Sequence, residues 1–315
     1  MSSRGWVGDC RIPTVVRAIA SSGLLKSSLF IKQQQTTCSF TTSDSWIVLT
    51  PIEQSIKSKI EAVGTPLKDW DIQINYGIKT GCNEAFIINK DKKKEILSNC
   101  QTKEEEARTD EIIRPVLRGR DIKRYGYIDS GWYLINTHNG IKGKIPPINI
   151  DDYPAIKAHL DQYWDKISIR SDKGETPYNL RNCAYLEDFS KPKIIYQELS
   201  QGSCFAYDKE GKYMVSNSAY LITGEHLEYL IRLLNSRVVE SVYKYFYATI
   251  LGITGVRWLA QNIVNLPIPK FEDKELQHQI LRQEDSENIE ALVGSIYKLN
   301  MDEMSYLETM NDKEK

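Results

Sequence analysis

The spacing of apolar residues changes several times along this chain, and each change marks an element. Up to about residue 45 there is no period; the stretch is rich in Ser, Thr and Gln and reads as a poorly ordered or truncated lead-in. The pattern begins at Trp46, where WIVL reads as a strand. In TPIEQSIKSKIEAVG, Ile52, Ile56, Ile60 and Val63 fall on one helical face. Thr50 and Glu53 make a capping box, Pro51 sits in the first turn and Gly64 ends the helix. Ile72, Ile74 and Tyr76 then alternate as in a strand. After GIKTG the apolar run resumes over Ala85 to Ile88, the pattern of a hairpin. A helix follows near Lys92 to Leu97, and TKEEEARTDE (Thr102 to Glu111) reads as a solvated acidic loop.

Further on, GWYLIN reads as a strand and Tyr153 to Trp164 as a short helix. KIIYQEL, CFAYD, KYMVSN and AYLIT have the lengths and spacing of antiparallel strands, with Lys-Glu-Gly turning one pair. EHLEYLIRLLNSRVVESVYKYFYATI is helical in pattern, and the prolines of NLPIPK break it. Ile289, Leu292, Val293, Ile296 and Leu299 restore a helical period, and Asn300 with Glu303 makes a second capping box. The outline is an α+β protein with a mixed, mainly antiparallel β-rich body over residues 46–224. A helical part over residues 225–315 packs on it.

Charge narrows the functional classes. Forty-one basic and 42 acidic residues leave a net charge of -1, so no global field draws the chain to nucleic acid, and any such surface must be a local patch. The six cysteines are scattered without a C-x-x-C pair, and no histidine stands at metal-ligand spacing from them. They read as reduced thiols of a cytoplasmic protein, with no metal site expected. No apolar run reaches membrane-spanning length.

Four stretches could carry chemistry. GIKTG lacks the G-x-x-x-x-G-K-[ST] spacing of a nucleotide-phosphate loop and precedes a strand pattern, so its glycines read as turn formers. Lys79, Thr80 and Asn83 at its tip are free to meet a ligand. RPVLRGRDIKRY gathers Arg114, Arg118, Arg120, Lys123 and Arg124 around Asp121, with Gly119 allowing close backbone approach. This suits phosphate contact, or equally a solvated basic face balanced by the acidic run upstream. Tyr178, Asn179 and Arg181 in GETPYNLRNC can stack on or bond to bases, and are equally ordinary loop residues. LGITGVRW places Arg257 and Trp258 after two glycines in a loop between helices, and reads equally as a plain helix-joining loop with Trp258 buried. No catalytic residue is assigned. There is no glycine loop of S-adenosylmethionine type and no [DNS]-P-P-[YF] string. The E-x-K strings at Glu210 and Glu272 lack an upstream Pro-Asp, and the four histidines are far apart.

From Trp46 onward the chain resembles the C-terminal specificity (target-recognition) region of TaqI-type and type IIG adenine-N6 DNA methyltransferases of restriction-modification systems. The likeness runs in order through TPIEQSIKSKIEAVGTPLKDWDIQINYGIKTGCNEAF, IIRPVLRGRDIKRYGY, PYNLRNCAY with KPKIIYQE, LITGEHLEYLIRLLNS, NLPIPK and IEALVGSIYKLNMDEMSYLE. It implies that the region lies against one side of a DNA duplex and reads sequence while another domain flips out adenine. The implied partners are double-stranded DNA and a methyltransferase domain or subunit, which would hold S-adenosylmethionine; this chain would hold no cofactor. Lys79 and Thr80 would then meet a DNA phosphate, and Arg118, Arg120 and Lys123 become DNA-facing. The irregular segment 138–181, with Arg170, Lys173, Tyr178, Asn179 and Arg181, is the expected reading surface, with the Lys79 loop or Arg257 as the alternative places. Two other readings stay open. One is a fragment of a bifunctional type IIG methyltransferase-endonuclease whose catalytic domains lie outside the chain. The other is a protein-interaction or structural domain.

Overall fold

A computed structural model describes residues 15–16, 35–36, 49–250, 256–270, 274–282 and 286–312. The chain separates into two compact units, Met1–Ala62 and Val63–Lys315. In the first, Val15–Val16 pairs antiparallel with Gln35–Thr36. Helix α1, Pro51–Val63, begins in this unit with the expected box. Thr50 N donates to Glu53 Oε2 at 2.6 Å, and Glu53 N donates to Thr50 Oγ1 at 3.4 Å. The strand expected at WIVL falls largely outside the described residues.

The second unit contains two four-stranded sheets. The first is antiparallel in the order β7 (Phe205–Asp208), β5 (Lys193–Gln197), β9 (Ala219–Gly224), β1 (Ile72–Tyr76). The other has the order β8 (Met214–Val215), β3 (Ile113–Leu117), β4 (Trp132–Ile135), β2 (Ile87–Asn89). Its β8–β3 pair is parallel. Ile195, Ala206 and Leu221 of the first sheet and Ile113, Leu117, Leu134 and Val215 of the second are buried in a single apolar core. Ile96 of helix α2 (Lys90–Ser98) and Ile156 of helix α4 (Pro154–Asp161) join it.

KIIY and AYLI are apolar without alternation because the first sheet is covered on both faces. Its second face carries an aromatic row in direct cross-strand register: Tyr76, Tyr220, Tyr196, Phe205. Ring centroids are 4.4, 5.0 and 5.0 Å apart along it. Trp258 closes edge-on against Phe205 at 5.1 Å and stacks on Tyr243 at 4.1 Å. Each such ring adds about 0.5–1.5 kcal/mol beyond its area burial. Lys193 and Asp208, also cross-strand partners, form a fully buried ion pair at 2.6 Å. Burial pulls the Lys193 pKa down while Asp208 opposes the shift.

Four expectations are corrected. The first is the hairpin around GIKTG, since β1 and β2 lie in different sheets. Gly77 N donates to Ala219 O at 2.9 Å and Ile78 N to Val215 O at 2.7 Å, so the chain is led from one sheet to the other instead of reversing. A Cβ on Gly77 would lie 1.9 Å from Ser216 O, which explains the glycine. The second is the acidic run, which is helix α3 (Lys103–Ile112). Thr102 caps it, Glu105 is buried with bonds from Gln101 N and Ala155 N, and acidic side chains favour the amino end of a helix. The third is KYMVSN, which leaves CFAYD to pair with β3. The fourth is the long helical pattern after Glu225, which divides into α5 (Leu227–Leu234) and α6 (Arg237–Val242), followed by a wide turn over Tyr243–Tyr247. Asn235 makes the break by binding both Phe205 N and Phe205 O of β7, and Ser236 caps α6.

After short strands at Thr249–Ile250, Val256–Arg257 and Pro267–Ile268 the chain returns to helix in α7 (Lys274–Arg282), α8 (Ser286–Ile296) and α9 (Met301–Asp312). The Asn300–Glu303 box is present, with reciprocal bonds of 2.8 and 2.9 Å.

Candidate nucleic-acid interface

Strand β5 runs out into β6 (Leu199–Ser200), which pairs with β11 (Val256–Arg257). At this exit a groove of about 570 Å³ opens between the β5–β6 segment, the Ser216–Ser218 loop, the turn at Gly119–Asp121 and Asn83. Four of the residues expected from sequence meet there: Asn83, Arg118, Arg120 and Arg257. The fold adds Gln197, Glu198, Leu199 and Asn217, which sequence reading passed over. KIIYQEL gives no sign that the end of a core strand becomes a groove floor.

The arginines differ in how far they are already committed. Arg118 donates Nε and Nη2 to the two Asp121 carboxylate oxygens at 2.8 and 3.0 Å and Nη2 to Ser130 Oγ at 2.9 Å. Its guanidinium also lies 4.7 Å above the Trp132 ring. Burial pushes the Asp121 carboxyl up, but the Arg118 and Ser130 bonds outweigh it and hold the pKa below the ordinary value. Arg118 therefore shapes the wall and brings little free charge. Arg120 is exposed, and its guanidinium has no partner among the described residues. Lys123 is exposed nearby and donates to Arg120 O at 2.9 Å. Gly119 makes a close contact with the Ser218 loop: its N–H donates to Ser218 Oγ at 2.9 Å, and a Cβ there would lie 2.8 Å from Ser218 O.

Arg257 lies in β11, not in a loop between helices. Its Nε and Nη2 both donate to Glu198 Oε1, at 2.9 and 2.8 Å, and its side chain stays 46% exposed. The fork is thus aimed before any ligand arrives, with donors left over. Trp258 is buried as expected. Gly252 and Gly255 lie outside the described residues.

At the GIKTG turn, Lys79 is exposed, 5.8 Å from the centre of the Tyr76 ring. Thr80 is buried instead of free: its hydroxyl donates to Asn83 Oδ1 at 2.6 Å and accepts from Cys82 N at 3.2 Å. The Gly77 and Ile78 amides are spent on the sheets, and the helix that follows, Asn83–Phe86, is a single turn. The loop therefore lacks the long following helix on which a nucleotide-phosphate loop relies. Among the described residues no three His, Cys, Asp or Glu side chains converge for a metal, and no helix is long and apolar enough to cross a membrane.

The 138–181 segment is more committed than its composition suggests. Arg170 is buried over the Phe86 ring and donates to the carbonyls of Thr80, Asp172, Pro177 and Asn179. Burial lowers its pKa to about 10. Asn179 is buried, donating to Ile148 O at 2.8 Å and accepting from Thr176 Oγ1 at 2.6 Å. Arg170 and Asn179 are both buried and hold this segment together through these bonds. The Tyr178 hydroxyl bonds Asp161 at 2.6 Å; burial and that carboxylate push its pKa up to about 12. Lys173 and Arg181 are exposed, with Lys173 bonded to Ser168 O and Arg181 paired with Asp172. Lys173 lines a separate cavity of about 1010 Å³ with the 139–147 loop, away from the four residues that meet in the groove.

Comparison with known proteins bears on the same region. Type II methyltransferase M.BstVI of Geobacillus stearothermophilus is 24% identical over 282 residues, covering 85% of this chain and 47% of that protein. The chain thus spans about half the length of the curated relative it matches. The type IIL restriction-modification enzyme MmeI, solved in complex with DNA, superposes with a TM-score of 0.56 at 12% identity, over 79% of this chain and 36% of that one. That likeness is one of fold. The type IIG restriction endonuclease BpuSI overlaps more loosely, with a TM-score of 0.47 at 13% identity over 84% of this chain and 32% of that one. Residues 114–268, which supply every wall of the groove except the Asn83 side, match the TaqI-like C-terminal specificity domain family.

Proposed function

We propose that this chain is the sequence-reading part of an adenine-N6 DNA methyltransferase of a restriction-modification system, binding double-stranded DNA through the groove at the β5–β6 exit. The observation that carries the reading is convergence. Arg120, Arg257, Gln197 and Asn217 come from four separate stretches and meet at one opening of the specificity domain. Phosphate contacts position a protein on a duplex, and base contacts specify the site. Arg120 and Lys123 have the exposure and charge for the first role. The amides of Gln197 and Asn217 and the fork of Arg257 have the donor patterns for the second.

Methyl transfer and S-adenosylmethionine binding belong to a methyltransferase domain or subunit acting with this region in the cytoplasm. The relative named as a type II methyltransferase supports that partner over a nuclease. The test is selection of duplexes from a random-sequence pool by the full chain. Enrichment of a defined motif supports the reading. Recovery of unenriched sequence, or no DNA at all, overturns it and favours a protein-interaction role.

A further inference from the structure

Gln197 is the last residue of β5, its backbone fixed opposite Ala219. Its stem packs near Gly119, where an added Cβ would come within 3.3 Å of Gln197 Cγ. The residue as a whole is half-buried in the groove wall, and its amide has no hydrogen-bond partner among the described residues. An amide without protein partners in a groove wall has its donors and its acceptor available to a ligand. Two residues on, Leu199 lines the same groove with 55% of its surface exposed. Single exposed leucines are ordinary on protein surfaces. This one lines the groove beside an unspent amide and a preset arginine, with Ile87 as the other large aliphatic side chain of the wall.

We propose that Gln197 reads an adenine, through its N6 and N7, and that Leu199 contacts the methyl group of a thymine in the duplex that fills this groove. The proposal rests on the DNA-reading function above and assigns its specificity residues. The chemistry is complementary: an amide offers one donor and one acceptor, the pattern adenine shows in the major groove, and the thymine methyl is the apolar feature of the same edge. Residues two apart on an extended chain are separated by about 6.6 Å. Base pairs rise by about 3.4 Å. The leucine therefore reaches the amide's own base pair or one within two steps of it.

The test compares motifs selected from random duplex pools by the wild-type full chain, Gln197→Ala, Gln197→Glu and Leu199→Ala. The wild-type chain is also tested on pools carrying 7-deazaadenine for adenine or uracil for thymine. Expected for Gln197→Ala is a loss of about 5- to 150-fold in preference at one A·T position, with the other positions kept. Gln197→Glu should turn that position toward cytosine, whose N4 donates to a carboxylate, a gain that misfolding cannot mimic. The wild-type chain should lose the adenine preference on the 7-deazaadenine pool. On the uracil pool it should lose preference at a thymine that Leu199→Ala no longer distinguishes from uracil. If the wild-type chain selects a motif that neither substituted base nor either Gln197 variant alters, the proposal is overturned while DNA reading stands. If it selects no motif, DNA reading itself fails.

Discussion

Arg118 and Arg120 stand two residues apart and end in opposite situations. The first spends its guanidinium on Asp121, Ser130 and Trp132; the second is exposed with no partner among the described residues. Arg120→Ala is therefore expected to weaken binding about equally for every duplex and to reduce the slope of log K against log salt by about one. Fluorescence titrations at several salt concentrations would measure both; a loss confined to one base position would make Arg120 a reader. Asp121 carries the complementary expectation. Its folded pKa lies below the ordinary value, so its contribution is complete above the ordinary carboxylate range and is lost as pH falls through the folded value. Asp121→Asn should lower the urea midpoint at pH 7 and flatten its fall toward acid, and an unaltered acid limb would contradict the pairing. Arg170→Met should leave two buried and two half-buried carbonyls short of a donor and cost about 3 kcal/mol of stability, read as a lowered denaturation midpoint. An Arg170→Met chain of unchanged stability would free that arginine for another role.

At the scale of elements, sequence showed what was local. Both tested capping boxes, α2, α4, β4 and the core strands KIIYQ and AYLIT stand where their periodicities put them. What it could not show was partnership between distant strands. Met214–Val215 resembles the return strand of a hairpin, yet pairs with β3 nearly a hundred residues away, and the GIKTG turn is a crossing between sheets. The site was half legible for the same reason. Arg120, Arg257 and Asn83 announced themselves by residue type, whereas Gln197 and Asn217 gained meaning only when the β5–β6 exit met the Ser216–Ser218 loop. Arg170 and Asn179, promising in sequence, are buried and bonded to carbonyls that no local pattern reveals. The sheet crossing makes its own prediction. Gly77→Ala puts a Cβ 1.9 Å from Ser216 O and should destabilise the fold by about 1–3 kcal/mol or more, displacing the loop that walls the groove. Thermal denaturation checks the first effect and duplex affinity the second; a fully stable variant would show that the close approach of the Gly77 and Ser216 backbones is not required.

For the whole molecule, the near-neutral charge means that the proposed attraction to DNA must come from a local patch, which the proposal puts at the groove and its rim. Labelled methyl incorporation should find no transfer from S-adenosylmethionine to mixed-sequence DNA by the 315-residue chain, and turnover above background would contradict a purely reading role. The most direct measurement is an equilibrium titration of the full chain against its selected duplex and a shuffled duplex of equal length, over a range of salt. Expected is a steep linear fall of log K with log salt for both duplexes, with the selected one bound roughly a thousand-fold or more tighter throughout. Equal affinities for the two duplexes, or binding that salt does not weaken, would contradict a sequence-reading DNA interface at this groove.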